Sequence, residues 1–337
     1  MATQRWRRSD GGDGDDDASS EAPPPPSSEP PSKRPRSYLM SRTAGEEIAT
    51  RMKAYEIEAH AGAALDRTRP WLARIDGHKF STFTKVFKGR GKPFDRRIHD
   101  AMTATAEDCL RHFPACAAFT FSDEITLVFD ASSAEEEVMM FGGKIVKISS
   151  LLAGFVSVRF VRHLQAAAWD DATEGKMLER IRDPWVHFDA RVHNVPTRAE
   201  GLENIVWRSL FDCQRNSILN MARSYFSAKT MHGVSNTKAC AMLRAEGHPW
   251  SEMPLCYRYG SWIKKETYEK HAVNKKTGAA VIATRTRPAT RAFRLEGGAT
   301  DANVAMLFAK FWGPAEATPD PAAAVAGGGG GGTRAAR

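Results

Sequence analysis

Between residues 70 and 226 the spacing of apolar positions changes repeatedly, and each change marks an element. PWLARIDG (70–77) is a short, nearly continuous apolar run, which predicts a buried strand ending at Asp76-Gly77. FSTFTKVF (80–87) places Phe80, Phe83 and Phe87 on one side of a short helix. From Asp95 to Phe113, residues Ile98, Met102, Ala106, Cys109 and Phe113 recur at spacings of three and four, the period of a helix that Pro114 then stops. FTFSDEITLVF (119–129) holds two β-prone runs either side of Asp123-Glu124. Residues 138–163 return to helical period, with Ile145, Ile148, Leu152 and Phe155 on one face, and FDARVHNV (188–195) is a further strand. Thr197 and Glu200 form a capping box that opens a long helix to about Phe226. A helix is also predicted ahead of these elements, over residues 44–62. The order strand, helix, strand, strand, helix, strand, helix describes an α+β chain with a ferredoxin-like antiparallel sheet and helices on one face.

Composition separates the ends from this patterned region. Residues 1–42 are rich in Asp, Pro and Ser, and residues 314–337 in Gly and Ala; neither stretch has the apolar content to form a core, so both are expected to be disordered tails. The expected division is a ferredoxin-like α+β domain over 43–195 and a helical C-terminal part over 196–313. The first 42 residues carry equal numbers of basic and acidic side chains, so the whole net charge of +8 falls on the remainder, which suits a polyanionic partner. Five cysteines, at 109, 116, 213, 240 and 256, form no CxxC pair and argue against a disulfide framework or a structural zinc. No run is long and apolar enough for a membrane helix and no secretory leader is visible. The expected setting is therefore intracellular, cytoplasmic or nuclear, with no membrane partner.

The candidate chemistry begins with Asp76 and Asp123. A lone Asp at a strand end is ordinarily a turn residue, and an Asp-Glu pair at a hairpin tip is ordinarily solvated. In a ferredoxin-like sheet, however, the first strand and the hairpin are neighbours, so the two carboxylates can meet at one edge. Their repulsion would be relieved by a divalent cation; Mg²⁺ favours one or two carboxylates with phosphate oxygens and water. The basic, glycine-rich GRGKP (89–93) between them could cradle phosphate through its backbone and Lys92. Asp95 reads first as a helix N-cap. Arg208, Asp212, Arg215 and Asn216 share one helix face, which reads either as a solvated stripe with an Arg-Asp pair or as a basic face for nucleic-acid backbone or triphosphate.

ARIDGHKFSTFTK, GKPFD, FSDEITLVF, KIVKISSLLAGF, FDARVHNVP and WRSLFDCQRNS occur in an order that is recognisable. Over residues 45–265 the chain resembles the tRNA-His guanylyltransferase superfamily, enzymes that polymerise in the 3′-to-5′ direction. The resemblance implies a polymerase palm, the catalytic domain over 43–195, and two Mg²⁺ ions per active site. It implies that Asp76 and Asp123 bind metal with help from the Gly77 carbonyl, and that Glu124 supports them. Lys92 and Asp95 would contact nucleotide from the loop, Lys147 and Ser150 from a triphosphate-binding helix, and Arg74, Ser122 and Asn216 from around the carboxylates. Arg208 and Arg215 would contact tRNA. The implied partners are tRNA, ATP, GTP or other NTPs, and further copies of the chain, since the family commonly forms tetramers.

The departures from the family pattern point to one of its branches. The family's His-Ile-Asn-Asn stretch is replaced here by Gln214-Arg215-Asn216-Ser217, its paired arginines by Gly143-Lys144, and residues 225–265 look like the branch that repairs truncated tRNA 5′ ends. The expected function is template-dependent 3′-to-5′ addition after ATP activates a 5′-monophosphate. The competing expectations are addition of a single G to tRNA-His, another palm enzyme such as a cyclic-nucleotide synthase, and a non-catalytic tRNA-binding protein. The Phe-Ser-Asp-Glu hairpin differs from the Gly-Gly-acidic hairpin of the cyclic-nucleotide enzymes, and the presence of both carboxylates disfavours the non-catalytic reading.

Overall fold

The computed structural model describes residues 64–131, 139–273 and 276–313. The helix expected over 44–62 and the two expected tails lie outside them. Among the described residues, no helix is long and apolar enough to cross a membrane.

Strand β1 (Trp71–Gly77) is followed by two short helical turns and helix α1 (Arg96–His112). Asp95 caps α1: its carboxylate accepts a 3.0 Å hydrogen bond from the Arg97 amide. The hairpin β2 (Ala117–Phe121) and β3 (Glu124–Phe129) comes next, then helix α2 (Ile145–Gln165) and strand β4 (Phe188–Asn194). All four strands pair antiparallel in the order β4-β1-β3-β2, the arrangement that the sequence order predicts. Helix α2 begins at Ile145, later than expected, because Phe141, Gly142 and Gly143 all have positive φ and cannot continue a right-handed helix.

Period-two alternation sorts the strand residues onto two faces. Trp71, Ala73, Ile75, Ile125, Leu127 and Phe129 face α1 and α2, where Ile98, Met102, Ile148, Leu152, Val156 and Phe160 complete one core. Leu72, Phe119 and Val128 face the other way, into a second core.

That second core is built by the C-terminal region. The predicted long helix is present as α3 (Arg198–Trp207), a π-helical segment (Arg208–Cys213) and α4 (Gln214–Tyr225). Its capping box is formed, with the Thr197 hydroxyl accepting from the Glu200 amide at 3.2 Å. Helix α5 (Asn236–Ala245) packs on α4. The C-terminal region also holds two strands the sequence pattern did not reveal, β5 (Ser261–Val273) and β6 (Ala280–Arg291). β5 pairs with β2 through Ala118, Phe119 and Thr120, so the sheet runs to six strands in the order β4-β1-β3-β2-β5-β6. Helix α6 (Asp301–Phe308) closes the second core, so helices cover both faces of the sheet. Lys264 of β5, itself 1% exposed, donates to the carbonyl oxygens of Met306, Leu307 and Ala309 at the end of α6.

Candidate active site

The strand register assembles the polar face. Asp189, Asp76 and Glu124 are directly opposite one another on β4, β1 and β3, and Arg191, Arg74 and Thr126 form the next row on the same face. Arg74 binds both acidic neighbours in β1 and β3: its Nε donates to Glu124 at 2.5 Å and its Nη2 to Asp76 at 3.1 Å. From the π segment above, the Arg208 Nε lies 3.3 Å from the other Glu124 oxygen, and its Nη1 donates to Asp212 at 2.8 Å. Glu124 is thus buried between two guanidiniums. Burial raises its carboxyl pKa above the ordinary range, with Arg208 and Arg74 opposing.

Asp123 stands at the tip of the β2–β3 hairpin, next to the end of β1. Phe121 and Glu124 are register partners, so Ser122 and Asp123 are a two-residue turn. Ser122 sits at φ 51°, a conformation for which glycine is the usual choice. Strain of about 1 kcal/mol at such a position is characteristic of functional sites. The Gly77 amide donates to the Asp123 carbonyl at 3.1 Å and ties the tip to β1. A Cβ at position 77 would come within 2.7 Å of the Phe80 ring and 3.1 Å of the Asp123 Cβ, so glycine is required where Asp123 approaches. Burial raises the Asp123 carboxyl pKa; the Asp76 charge raises it further, while the Ser122 hydroxyl and Lys88 act against both.

Asp123 and Ser122 also line a cavity of about 230 Å³ with Lys88, Asp95, Asn216 and Tyr257 among its other walls. Phe94 and Tyr257 stack at its side with ring centroids 3.6 Å apart. Asp95 accepts from Lys92 at 2.9 Å and from the Arg97 guanidinium at 2.7 Å. These hydrogen bonds outweigh its burial and hold its carboxyl at about 2.

The structure therefore brings Arg74, Asp76, Gly77, Ser122, Asp123, Glu124, Asp95 and Asn216 to one edge of the sheet, with Lys92 tied to Asp95 beside it. It does not bring Lys147 and Ser150 there. Helix α2 has 21 residues and is about 30 Å long. Its later part passes the carboxylate edge, where the Ser157 hydroxyl accepts from the Phe188 amide. Lys147 and Ser150 lie at its beginning, where the Gly143 carbonyl accepts from Leu65 and Ser150 lies in a groove with His112 at the far end of α1. The resemblance implied contact with nucleotide for Lys147 and Ser150, and their place at the start of α2 sets them apart from the carboxylate edge. Arg208 departs from expectation too: it is an internal partner of Glu124, with a side chain only 13% exposed. Arg215 is exposed and paired with Asp212 at 3.1 Å.

Sequence reasoning missed Asp189, Lys88, Phe94 and Tyr257. Only Asp189 had a legible signal, in the FDAR strand that lies opposite β1. Among the described residues, no three His, Cys, Asp or Glu side chains gather as a metal-binding group. The expected set of two aspartates and a backbone carbonyl is smaller than that.

A four-strand palm sheet with paired aspartates at one edge, one of them also lining a cavity, is the arrangement of a palm-type nucleotidyltransferase. Comparison with known proteins gives the family. The model of the tRNAHis guanylyltransferase (Thg1) family matches residues 49–196. Uncharacterized protein R259 of Acanthamoeba polyphaga mimivirus is 32% identical over 238 residues, covering 67% of this chain and 80% of that protein. The chain belongs to the tRNAHis guanylyltransferase family. Two structures of a bacterial tRNAHis guanylyltransferase-like protein, one in complex with ATP and one with GTP, share the fold. The ATP complex has a TM-score of 0.57 and the GTP complex 0.53, each at 24% identity over 72% of this chain and 91% and 90% of theirs.

Proposed function

We propose that this chain adds nucleotides to the 5′ end of tRNA in the 3′-to-5′ direction, directed by the opposite strand, as a repair enzyme for truncated ends. The observation that carries the reading is the meeting of Asp76 and Asp123 at one sheet edge, against Gly77, with Asp123 also lining the cavity. The choice of branch rests on Gln214-Arg215-Asn216-Ser217, where the family's G-adding members have His-Ile-Asn-Asn. Ser217 spends its one donor on the Gln214 carbonyl and accepts from the Trp250 indole at 3.0 Å, so its hydroxyl has no proton left to donate to a guanine. A site rejects the wrong base strongly only through polar partners kept for the right one.

The residues fit Mg²⁺. Two carboxylates press on each other's charge, and a Cβ-free position lies between them. Asp76, Asp123 and the Gly77 carbonyl would hold the ion, which supplies Lewis-acid stabilisation of the attacking and leaving oxygens, in a pair of ions where the two-metal scheme holds. Arg74 and Arg208 hold Glu124, and through it Arg74 is set against Asp76. Asn216 and the Phe94–Tyr257 stack bound the space for the nucleotide, ATP or GTP being the nucleotides bound in the bacterial relatives. In the first step a 5′-phosphate oxygen of tRNA attacks the α-phosphorus of ATP, forming a phosphoanhydride and releasing pyrophosphate. In the second, the 3′-hydroxyl of an incoming NTP attacks the activated 5′ phosphorus, loses its proton and releases AMP. Neither step needs a covalent bond to the protein.

The test offers a panel of 5′-truncated tRNAs with all four NTPs and Mg²⁺ and sequences the products. Restored, fully paired 5′ ends support the reading. A single G on tRNA-His alone, or no extension of any tRNA, contradicts it.

A further inference from the structure

The long C-terminal helix presents an aromatic stripe that neither the core nor the carboxylate site uses. Trp207, Phe211 and Arg215 follow at intervals of four through the π segment, so they share its outward face. Trp207 is 47% exposed and Phe211 65% exposed. The Arg215 side chain is 61% exposed. Among the described residues, neither aromatic ring belongs to a hydrophobic cluster. The Arg208 guanidinium lies over the Trp207 ring, 4.4 Å from its centroid, while its Nε faces Glu124. The stripe is therefore one residue away from a side chain that touches the carboxylate row.

Its composition selects an occupant. A helix face meant for another protein core carries aliphatic residues as well as aromatic ones. Here the face presents two rings and then Arg215, with the partly buried Leu210 the one aliphatic neighbour between the rings, a combination suited to stacked bases beside a phosphate backbone. Phe211 is 65% exposed, Trp207 carries Arg208 over its ring, and the exposed Arg215 guanidinium is complementary to RNA.

We propose that Trp207 and Phe211 form a stacking platform for unpaired nucleobases of the RNA, those of the single-stranded 3′ terminus that lies beside the 5′ end. Arg215 meets the phosphates next to them. This rests on the reading that the chain acts at tRNA 5′ ends.

Fluorescence anisotropy at fixed salt tests it with two labelled RNAs, an acceptor duplex with an unpaired 3′ extension and the same duplex made blunt. The wild-type chain should bind the extended RNA about tenfold more tightly or better, the worth of a base–aromatic stack. Phe211→Ala should remove that preference while leaving blunt-duplex binding unchanged; Phe211→Tyr should restore it. Arg215→Ala should weaken both RNAs alike and lessen the salt dependence. Phe211 is so exposed that its replacement leaves the core untouched. An unchanged preference in Phe211→Ala overturns the proposal. So does a fall in oligomeric state by sedimentation, which would make the stripe a contact between copies. If no tRNA is ever extended but the Phe211→Ala preference is lost as described, the platform stands and the proposed reaction fails.

Discussion

The aspartates carry a conflict between stability and chemistry. Asp123 is largely withdrawn from water with Asp76 close by, and both effects raise its pKa. For an acid whose folded value is raised, the stabilising contribution is present at low pH and is lost as pH rises through that value. At neutral pH the ionised carboxylate is thus a cost to the fold. Asp123→Asn should raise the melting temperature in metal-free buffer, by about 2–4 °C for each 1 kcal/mol relieved. The same variant, and Asp76→Asn, should abolish nucleotide addition. Calorimetry and a primer-extension gel on the same samples check both halves; near-wild-type turnover in either variant contradicts the metal assignment. The meeting of Asp76 and Asp123 was legible because each closes an apolar run at a strand end. The role of Glu124 was not, since its partner Arg208 is 84 positions away in the chain and only the π segment aims it inward.

At the scale of elements, the capped helices were legible in detail. Asp95 opens α1 as an N-cap, and its ion pairs with Lys92 and Arg97 join the basic loop to that helix. Asp95→Ala loses cap and ion pairs and should cost about 2 kcal/mol; Asp95→Asn keeps a capping oxygen and should cost about half as much. The carboxyl is held at about 2, below its ordinary value, so its contribution is present above pH 4 and is lost as pH falls toward 2. The stability gap between wild type and Asp95→Asn should close over that interval in urea titrations, and a gap independent of pH would refute the assignment. Hairpin β5–β6 was illegible for a physical reason. Beyond Lys264 it has left the core, so both faces are polar or weakly apolar and no alternation marks the strands. Pro288 inside β6 adds a misleading break, tolerated because β6 is an edge strand.

At the scale of the whole molecule, the six-strand sheet joins the palm to the C-terminal region, and Lys264 fastens α6 beneath it. Lys264→Ala would leave carbonyl oxygens of Met306, Leu307 and Ala309 without their donor and open a space beside Trp312. A loss of about 2 kcal/mol in urea unfolding is expected; a loss below about 0.5 kcal/mol would show that the lysine does not fasten the helix. The fold places an acidic row, a cavity and a long helix with exposed aromatics around one sheet edge. In the proposed reaction the opposite strand, and not the protein, chooses the incoming nucleotide there. One measurement reaches it directly. A tRNA lacking its first 5′ nucleotide is prepared in four versions that differ only in the base opposite the gap. Each is incubated with all four NTPs and Mg²⁺, and the added nucleotide is sequenced. A strand-directed repair enzyme adds the Watson–Crick complement in all four cases and stops when the stem is complete; G added whatever the opposing base would overturn strand-directed selection.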